Sequence, residues 1–207
     1  MGLLNLLLKD PLGFIIIAIP LLYAVIFHEL AHGWVAYRMG DPTAKAMGRL
    51  TINPLKHLDP MGTLMLFLFG FGWAKPVPVN LNLLRDGRKG VILVSAAGII
   101  TNMLLAFCAL FLYKLLSPSP SGMAAQLLYY FARINIILAA FNLIPLPPLD
   151  GSKILMGFAP PGVQKSLFRI ERYGLIIIIA LLYLGVLEPV IRFFESVIIM
   201  LIKLLLP

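Results

Sequence analysis

The residues best suited to chemistry are His28 and His32, four positions apart, with Glu29 between them in the pattern H-E-x-x-H. The apolar run around them predicts a helix, in which residues four apart lie on one face, so both imidazoles could bind one ion. Two nitrogen ligands suit zinc, and Glu29 lies where it could take a proton from water at that ion. The pattern predicts a site for one zinc ion per chain; a metal-free buried polar cluster is the competing interpretation.

A catalytic zinc ion usually has three protein ligands and one open position, so a third ligand must come from another part of the chain. Four side chains are predicted on the same side as the histidines: Asp41, His57, Asp59 and Asp150. Asp150 is favoured because it follows a proline-rich break in an apolar run. Irregular backbone at membrane depth is tolerated only where it is buried in protein or lines a wet cavity. The spacing of these residues alone does not identify the third ligand, and His57 is the main alternative to Asp150.

The composition predicts an all-α polytopic membrane protein. Of the 207 residues, 60% are apolar and 13% charged, whereas soluble domains are about half apolar and a quarter charged. The 17 basic residues outnumber the 9 acidic ones, but they are scattered between apolar runs, which argues against nucleic acid as a partner. A single cysteine, Cys108, lies in an apolar run, which excludes an internal disulfide and a thiolate metal site.

The apolar runs predict about four transmembrane helices within one domain that covers the chain from 1 to 207. The run at 61–71 is too short to cross a bilayer at 1.5 Å per residue, and it is expected to be re-entrant or interfacial. No small-residue cleavage site follows the first run, so it is expected to be retained as a span. The predicted elements are a zinc-binding helix at about 14–39, a strand and re-entrant region at 45–80, spans at 91–113, 126–144 and 173–187, and an amphipathic or spanning tail at 190–206.

Two short segments of the 45–80 region are expected to be extended. Leu50 and Ile52 alternate with polar residues in GRLTIN, and Pro76 and Pro78 prevent a helix in GWAKPVPVN. Together they predict a short β-hairpin-like loop near the cytoplasmic face. Farther along the chain, the Glu188-Pro189 pair is expected to end the 173–187 span.

Twelve of the basic residues orient the spans. They form three groups of four, and all three fall on one side if 61–71 enters the membrane and returns. The positive-inside rule makes that side cytoplasmic and puts His28 in the cytoplasmic half of the first span, which predicts a multi-pass membrane protein with its site toward the cytoplasm. We expect the membrane to be the plasma membrane of a prokaryote, although charge placement does not identify it. The groups are Arg38, Lys45, Arg49 and Lys56; Lys75, Arg85, Arg88 and Lys89; and Lys153, Lys165, Arg169 and Arg172.

Four motifs together resemble the site-2 protease family of intramembrane zinc metalloproteases. They are HELAH, GRLTINP, GWAKPVPVN and the pattern N-x-x-P-x-x-P-x-D-G that ends at Gly151, and the resemblance covers nearly the whole chain up to that residue. It implies hydrolysis of peptide bonds within or near the transmembrane helix of single-span substrates in the lipid bilayer, by a compact member without a PDZ domain. By resemblance, the zinc ligands are His28, His32 and Asp150, the catalytic acid/base is Glu29, and Asn142 stabilises the oxyanion or positions substrate.

The sequence departs from this family in one place and leaves two other functions open. Gly98 is followed by Ile99, where many relatives have a Gly-Pro pair, although Asn102 is retained. A metal carrier would need ligands along several spans, for which only Asn102, Arg133 and Asn135 are available. A catalytically inactive protein that binds client helices would not need Glu29. The oligomeric state is left open.

Overall fold

The structure of the chain is a computed structural model that describes residues 3–70, 72–120 and 122–206. These residues form ten α-helices and two short 3-10 turns, at Pro54–Lys56 and Leu81–Leu83. In chain order the helices are α1 (Leu3–Lys9), α2 (Pro11–Arg38), α3 (Thr43–Ala46), α4 (Pro60–Phe69), α5 (Arg88–Leu116), α6 (Met123–Asn142), α7 (Asp150–Phe158), α8 (Pro161–Glu171), α9 (Gly174–Tyr183) and α10 (Leu187–Leu205).

Three long apolar helices, α2, α5 and α6, form the centre of the protein. They have 28, 29 and 20 residues, and at 1.5 Å per residue each is about as long as the ~30 Å hydrocarbon core or longer. Each is long and apolar enough to span a membrane, and all three pack against one another. The prediction of an all-α integral membrane protein is therefore confirmed. The bounds of these helices lie within a few residues of the three runs that were expected to span, at about 14–39, 91–113 and 126–144.

Small residues let α2 and α5 approach each other closely. Ala24 and Ala36 on α2 are fully buried, and small side chains at helix interfaces allow backbones to come near. His28 reaches Asn102 while His32 reaches Val94, so α5 runs antiparallel to α2. The C-terminal end of α2 and the N-terminal end of α5, each with its basic residues, therefore lie at the same end of the bundle.

The boundary between the last predicted span and the C-terminal tail lies earlier in the chain than expected. Helix α9 ends at Tyr183 and α10 begins at Leu187, at 93° to α9, so the pair is a fourth span only if the bent helices count as one. Gly185 adopts the left-handed conformation (φ 72°) that commonly ends a helix. Expecting the Glu188-Pro189 pair to end a span was wrong, because proline is tolerated in a helix's first turn and the pair opens α10.

The expected hairpin in the 45–80 region is not formed by the residues that the structure describes. Their only β pairing is one isolated antiparallel bridge between Leu58 and Ala74. Around Thr51, side chains compete for backbone groups: the Thr51 hydroxyl accepts from the Asn53 amide, and the His57 ring donates to the Thr51 carbonyl. Pro76 and Pro78 have no N–H to offer a neighbouring strand. The segment at 74–80 forms no helix or turn, and beyond the bridge at Ala74 it has no β pairing. Its two prolines favour extended backbone, because a residue before proline avoids the helical conformation.

Helix α4 covers most of the run that was expected to be re-entrant. It is a mainly apolar helix of ten residues and packs against α1. Asp59 begins it by accepting a hydrogen bond from the Gly62 amide at 2.7 Å, and Gly70 ends it in the left-handed conformation (φ 76°). The last residue of the predicted run, Phe71, lies outside the described residues. Helix α4 is too short to cross a bilayer by itself.

Candidate metal centre

Three potential ligand atoms meet between α2 and the start of α7. Nε2 of His28 and Nε2 of His32 lie 3.0 Å apart, and Oδ2 of Asp150 lies 3.1 Å from the first and 3.0 Å from the second. All three side chains are buried, with exposures of 7%, 8% and 6%. Among the candidates from the sequence, these are the residues that the structure brings together as a group able to hold a metal ion.

The other ring nitrogen of each histidine, Nδ1, forms a hydrogen bond with an oxygen atom. Nδ1 of His32 lies 2.7 Å from the Val94 carbonyl, and Nδ1 of His28 lies 2.5 Å from Oδ1 of Asn102. A carbonyl oxygen only accepts hydrogen bonds, so each Nδ1 carries the proton and donates. In the neutral rings, both Nε2 atoms therefore present lone pairs to each other and to the carboxylate.

This donor set fits a zinc ion. Three electron-rich atoms so close together repel one another unless a cation lies between them, and Oδ2 of Asp150 is buried without a hydrogen-bond donor. In a tetrahedral zinc site with bonds of about 2.0–2.1 Å, ligand atoms lie about 3.3 Å apart, close to the separations here. Histidines that bind a metal through one nitrogen and donate through the other are the usual arrangement in proteins.

Asp150 reaches the histidines because the chain breaks between α6 and α7. Helix α6 ends at Asn142, and Pro145, Pro147 and Pro148 prevent it from continuing. Gly151 lets the start of α7 lie against the preceding turn, since a Cβ there would collide with the Leu143 carbonyl. The second oxygen, Oδ1 of Asp150, faces the Lys153 ammonium at 4.0 Å, which leaves Oδ2 directed at the histidines.

Gly98 on α5 is required by the closeness of the histidines. A Cβ at this position would lie 2.5 Å from Nε2 of His32 and 2.5 Å from Cε1 of His28. Such distances are far below van der Waals contact, so a side chain at Gly98 would displace both rings. The residue is thus one wall of the site. Its role does not depend on the proline that is missing at Ile99.

Glu29 is held by the extended segment at 74–80. Its Oε2 accepts a hydrogen bond from the Val77 amide at 2.7 Å, and its side chain is half-buried. The segment can approach α2 because Gly33 has no side chain: a Cβ there would lie 2.8 Å from Cγ1 of Val77. One carboxylate oxygen is fixed by the protein, and the other remains available to a water molecule.

The other candidates for a third ligand are engaged elsewhere. Asp59 begins α4, and Nε2 of His57 donates to the Thr51 carbonyl at 2.7 Å. Asp41 joins the loop after α2 to the 74–80 segment, because it accepts hydrogen bonds from Thr43 and from the Asn80 amide at 2.7 Å. Burial raises the pKa of the Asp41 carboxyl, but these hydrogen bonds lower it more, so the pKa is below its usual range. None of the three joins the metal group.

Asn142, the predicted oxyanion residue, lies at the C-terminal end of α6. Its Nδ2 donates to the Leu138 carbonyl at 3.0 Å, within its own helix. This contact holds the amide as part of the helix end. The side chain is half-buried.

Sequence reasoning missed the groups that orient the site. The Val94 carbonyl and the Val77 amide are backbone groups, which no residue type reveals. Asn102 was noted as retained from the family pattern, and Asn102 and Asn135 were considered as parts of an ion path, but neither was predicted to orient the site. Asn102 contacts His28 directly, and Asn135 contacts Asn102. A polar side chain within an apolar span was the available signal, because such residues are costly there without a partner.

Comparison with known proteins agrees with the site geometry. The family model described as peptidase family M50 matches residues 117–185. "Putative zinc metalloprotease YwhC" of Bacillus subtilis is 42% identical over 172 residues, which cover 80% of this chain and 78% of that protein. "Putative zinc metalloprotease MJ0611" of Methanocaldococcus jannaschii is 33% identical over 150 residues, 70% of this chain and 71% of that protein. "Putative zinc metalloprotease Rip2" of Mycolicibacterium smegmatis is 28% identical over 175 residues, 82% and 67% of the two chains.

No solved structure matches the chain significantly. The family therefore follows from sequence similarity, and the apolar helices agree with it. The similarity to the first two relatives extends over more than two thirds of both chains. The chain belongs to peptidase family M50 and is an integral membrane zinc metalloprotease of the site-2 protease type.

Proposed function

We propose that this protein hydrolyses peptide bonds within or near the transmembrane helix of single-span membrane proteins, with its site open toward the cytoplasm. The observation that carries the proposal is the group formed by His28, His32 and Asp150, whose ligand atoms lie 3.0–3.1 Å apart beside a membrane-spanning helix. These residues would hold one zinc ion. When bound, zinc would supply Lewis-acid polarisation of a peptide carbonyl and of a water molecule.

Glu29 is the acid/base in this proposal. Its free carboxylate oxygen takes a proton from the attacking water, whose oxygen forms a bond to the scissile carbonyl carbon. Glu29 then gives that proton to the leaving nitrogen as the C–N bond breaks. The Val77 amide supports this role because it fixes Oε2 of Glu29 without adding a charge. The carboxylate is thus oriented before substrate arrives.

Asn142 is proposed to assist the reaction from the end of α6. An amide N–H near the scissile carbonyl would stabilise the negative charge that develops on its oxygen. To do so, Nδ2 of Asn142 must leave the Leu138 carbonyl, which it contacts at 3.0 Å. Turning the side chain exchanges one hydrogen bond for another. Asn142→Ala is expected to lower the rate without changing the zinc content.

The 74–80 segment is proposed to receive the unwound substrate. A peptide bond in a helix is shielded by the helix's own hydrogen bonds, so the substrate must become extended before cleavage. The segment is itself extended beside Glu29 and is unpaired along most of its length, which suits addition of a peptide as a neighbouring strand. Because its prolines lack N–H groups, carbonyl oxygens are its main pairing groups.

A metal carrier is a weaker explanation of the same residues. A transport path requires ligands at several depths. Among the residues that the structure describes, one group of three or more potential ligands is found, at one depth. The half-buried Glu29, which lies beside this group without belonging to it, has a use in hydrolysis and none in transport.

Cleavage of reporter proteins tests the proposal. The protein is reconstituted in liposomes with a panel of tagged single-span reporters, some with glycine or proline within the span. Wild type is expected to cut at least one reporter within or near its span, as mapped by mass spectrometry. Glu29→Gln is expected to bind zinc as wild type does and to leave every reporter intact. Equal cleavage by Glu29→Gln, or cleavage confined to soluble regions, would contradict the proposal.

A further inference from the structure

We propose that Asn102 and Asn135 are positioning residues that fix the tautomer of His28 through a chain of buried hydrogen bonds. Asn102 contacts His28, and Asn135 contacts Asn102 and the Phe131 carbonyl. Asn135 thus acts on the metal centre without touching it. The inference rests on the proposed metal-binding function in one respect, that His28 binds through Nε2, and its test includes a measurement that needs no metal.

Both amides are completely buried in the middle of membrane-spanning helices. Asn102 on α5 and Asn135 on α6 have 0% exposure. A buried amide is costly unless its donors and acceptor are paired, and in a membrane no water is at hand to pair them. Each of these amides is paired on both its nitrogen and its oxygen, so the orientation of each is determined by its neighbours.

The direction of the hydrogen bonds can be followed from one end of the chain to the other. Nδ2 of Asn135 donates to the Phe131 carbonyl at 2.8 Å, and a carbonyl only accepts, so the opposite atom of that amide is its oxygen. This oxygen accepts from Nδ2 of Asn102 at 2.7 Å. Nδ2 of Asn102 also faces the Ala24 carbonyl at 3.3 Å. Oδ1 of Asn102 must therefore face His28.

The orientation of Asn102 decides which nitrogen of His28 carries the proton. With Oδ1 at 2.5 Å, Nδ1 of His28 is the donor and Nε2 keeps its lone pair for an ion. A reversed Asn102 would present its NH2 group instead and would favour the tautomer with the proton on Nε2, which cannot bind metal. The reversed amide would also set its oxygen against the oxygens of Asn135 and Ala24. Asn135 thereby prevents the unproductive orientation.

His32 and His57 serve as internal comparisons. His32 donates through Nδ1 to the Val94 backbone carbonyl, which cannot reverse, so its tautomer does not depend on a side chain. His57 donates through Nε2 to the Thr51 carbonyl and has the opposite tautomer. Of the chain's three histidines, only His28 depends on an amide side chain that is itself held by a second one.

The first measurement is the tautomer of each histidine in metal-free protein in detergent, from 15N chemical shifts of 15N-histidine-labelled samples. The three signals are assigned by their loss in His28→Ala, His32→Ala and His57→Ala. Wild type is expected to show a proton on Nδ1 of His28 and of His32, whether or not a proton replaces the metal at Nε2 beside Asp150, and Nε2–H with an unprotonated Nδ1 for His57. Asn135→Leu is expected to convert a substantial part of His28 to Nε2–H and to leave the His32 and His57 signals unchanged.

The second measurement is zinc affinity, by competition with a chromophoric chelator. Asn102→Leu and Asn135→Leu are expected to weaken binding about 10- to 100-fold, as is typical when the partner of a metal-binding histidine is removed. Asn102→Asp keeps an oxygen acceptor for Nδ1 but sets its second oxygen against the oxygens of Asn135 and Ala24, so it is expected to restore only part of the affinity. Ile136→Ala is the matched control, because Ile136 is adjacent to Asn135, is buried, and has an apolar side chain that takes no part in the hydrogen bonds between Asn135, Asn102 and His28.

The two measurements separate the failure of this inference from that of the proposed function. An unchanged His28 tautomer in Asn135→Leu, with no greater loss of affinity than in Ile136→Ala, would overturn the positioning role while leaving the metal site intact. If wild type bound no zinc but Asn135→Leu still shifted the His28 tautomer, the positioning role of Asn102 and Asn135 would be supported and the metal-binding function would be contradicted.

Discussion

The Val77 amide donates a hydrogen bond to Oε2 of Glu29 at 2.7 Å, across 48 positions of sequence. Its neighbours Pro76 and Pro78 have no N–H, so this amide is the single donor among the three residues. The proline-rich segment therefore presents one backbone donor to the half-buried carboxylate beside the metal group. The contact joins the H-E-x-x-H helix to a distant loop.

Removal of the Val77 N–H is expected to slow cleavage. Val77→Pro keeps the extended backbone, which the neighbouring prolines already favour. It removes the N–H and puts its Cδ next to Oε2 of Glu29, so the carboxylate must turn away. The rate of reporter cleavage is expected to fall about 10- to 100-fold, because a small misplacement of a catalytic group slows a reaction by such factors. The zinc content is expected to be unchanged. Val77→Ala keeps the N–H and is the matched control. Equal loss in both variants would show that the side chain, and not the amide, matters.

A side chain at Gly98 is expected to disrupt metal binding. In Gly98→Ala the new Cβ would lie 2.5 Å from Nε2 of His32, so the ring must move away from its partners. Zinc affinity, measured by chelator competition, is expected to fall at least tenfold, since displaced ligands lose the geometry that zinc requires. Gly162→Ala on α8 adds a methyl group with no atom within 4 Å and is expected to bind zinc normally. Normal affinity in Gly98→Ala would contradict the site geometry.

Loss of the Asp41 carboxylate is expected to destabilise the loops around the site at neutral pH. In the wild type, Oδ2 of Asp41 accepts a hydrogen bond from the Asn80 backbone N–H at 2.7 Å. Asp41→Asn would turn an NH2 group toward this N–H, so two donors would face each other, and the folded protein would lose about 1–3 kcal/mol of stability. The pKa of Asp41 is lower in the folded protein than in the unfolded chain. The contribution of its carboxylate to the free energy of unfolding is therefore fully present above the pKa of the unfolded chain, about 3.9. It is lost as the pH falls through the folded pKa.

Thermal unfolding in detergent checks this pH dependence. Wild type is expected to unfold at a higher temperature than Asp41→Asn at pH 7, and the difference is expected to shrink below about pH 4, the ordinary range of an aspartate. Asp86→Asn is a suitable control because Asp86 is exposed. A difference that persisted unchanged at low pH would contradict the role of the charged carboxylate.

The sequence predicted the parts of this protein that depend on periodicity and residue type. The three long spans follow from hydropathy, and the meeting of His28 with His32 follows from helical spacing. Spacing left Asp150 as one of four candidates, and family resemblance favoured it. The choice depends on the proline-rich turn that brings the start of α7 back to α2.

The parts that sequence did not predict depend on competition between nearby groups or on backbone contacts. GRLTIN alternates as a strand does, but local side-chain hydrogen bonds around Thr51 satisfy its backbone instead. The Glu188-Pro189 pair can either end or begin a helix. Here the left-handed Gly185 follows the end of α9, so the pair lies in the first turn of α10. The tautomer of His28 depends on two amides on other helices, which become neighbours only after packing.

The most direct test of the account is the zinc content of the purified, detergent-solubilised protein, with wild type measured beside His28→Ala, Asp150→Ala and His57→Ala. About one zinc ion per chain is expected in wild type and in His57→Ala, since one open-sided site with three protein ligands is predicted. Little or none is expected in His28→Ala and Asp150→Ala. Wild type without zinc after supplementation, or full zinc content in Asp150→Ala, would contradict the account.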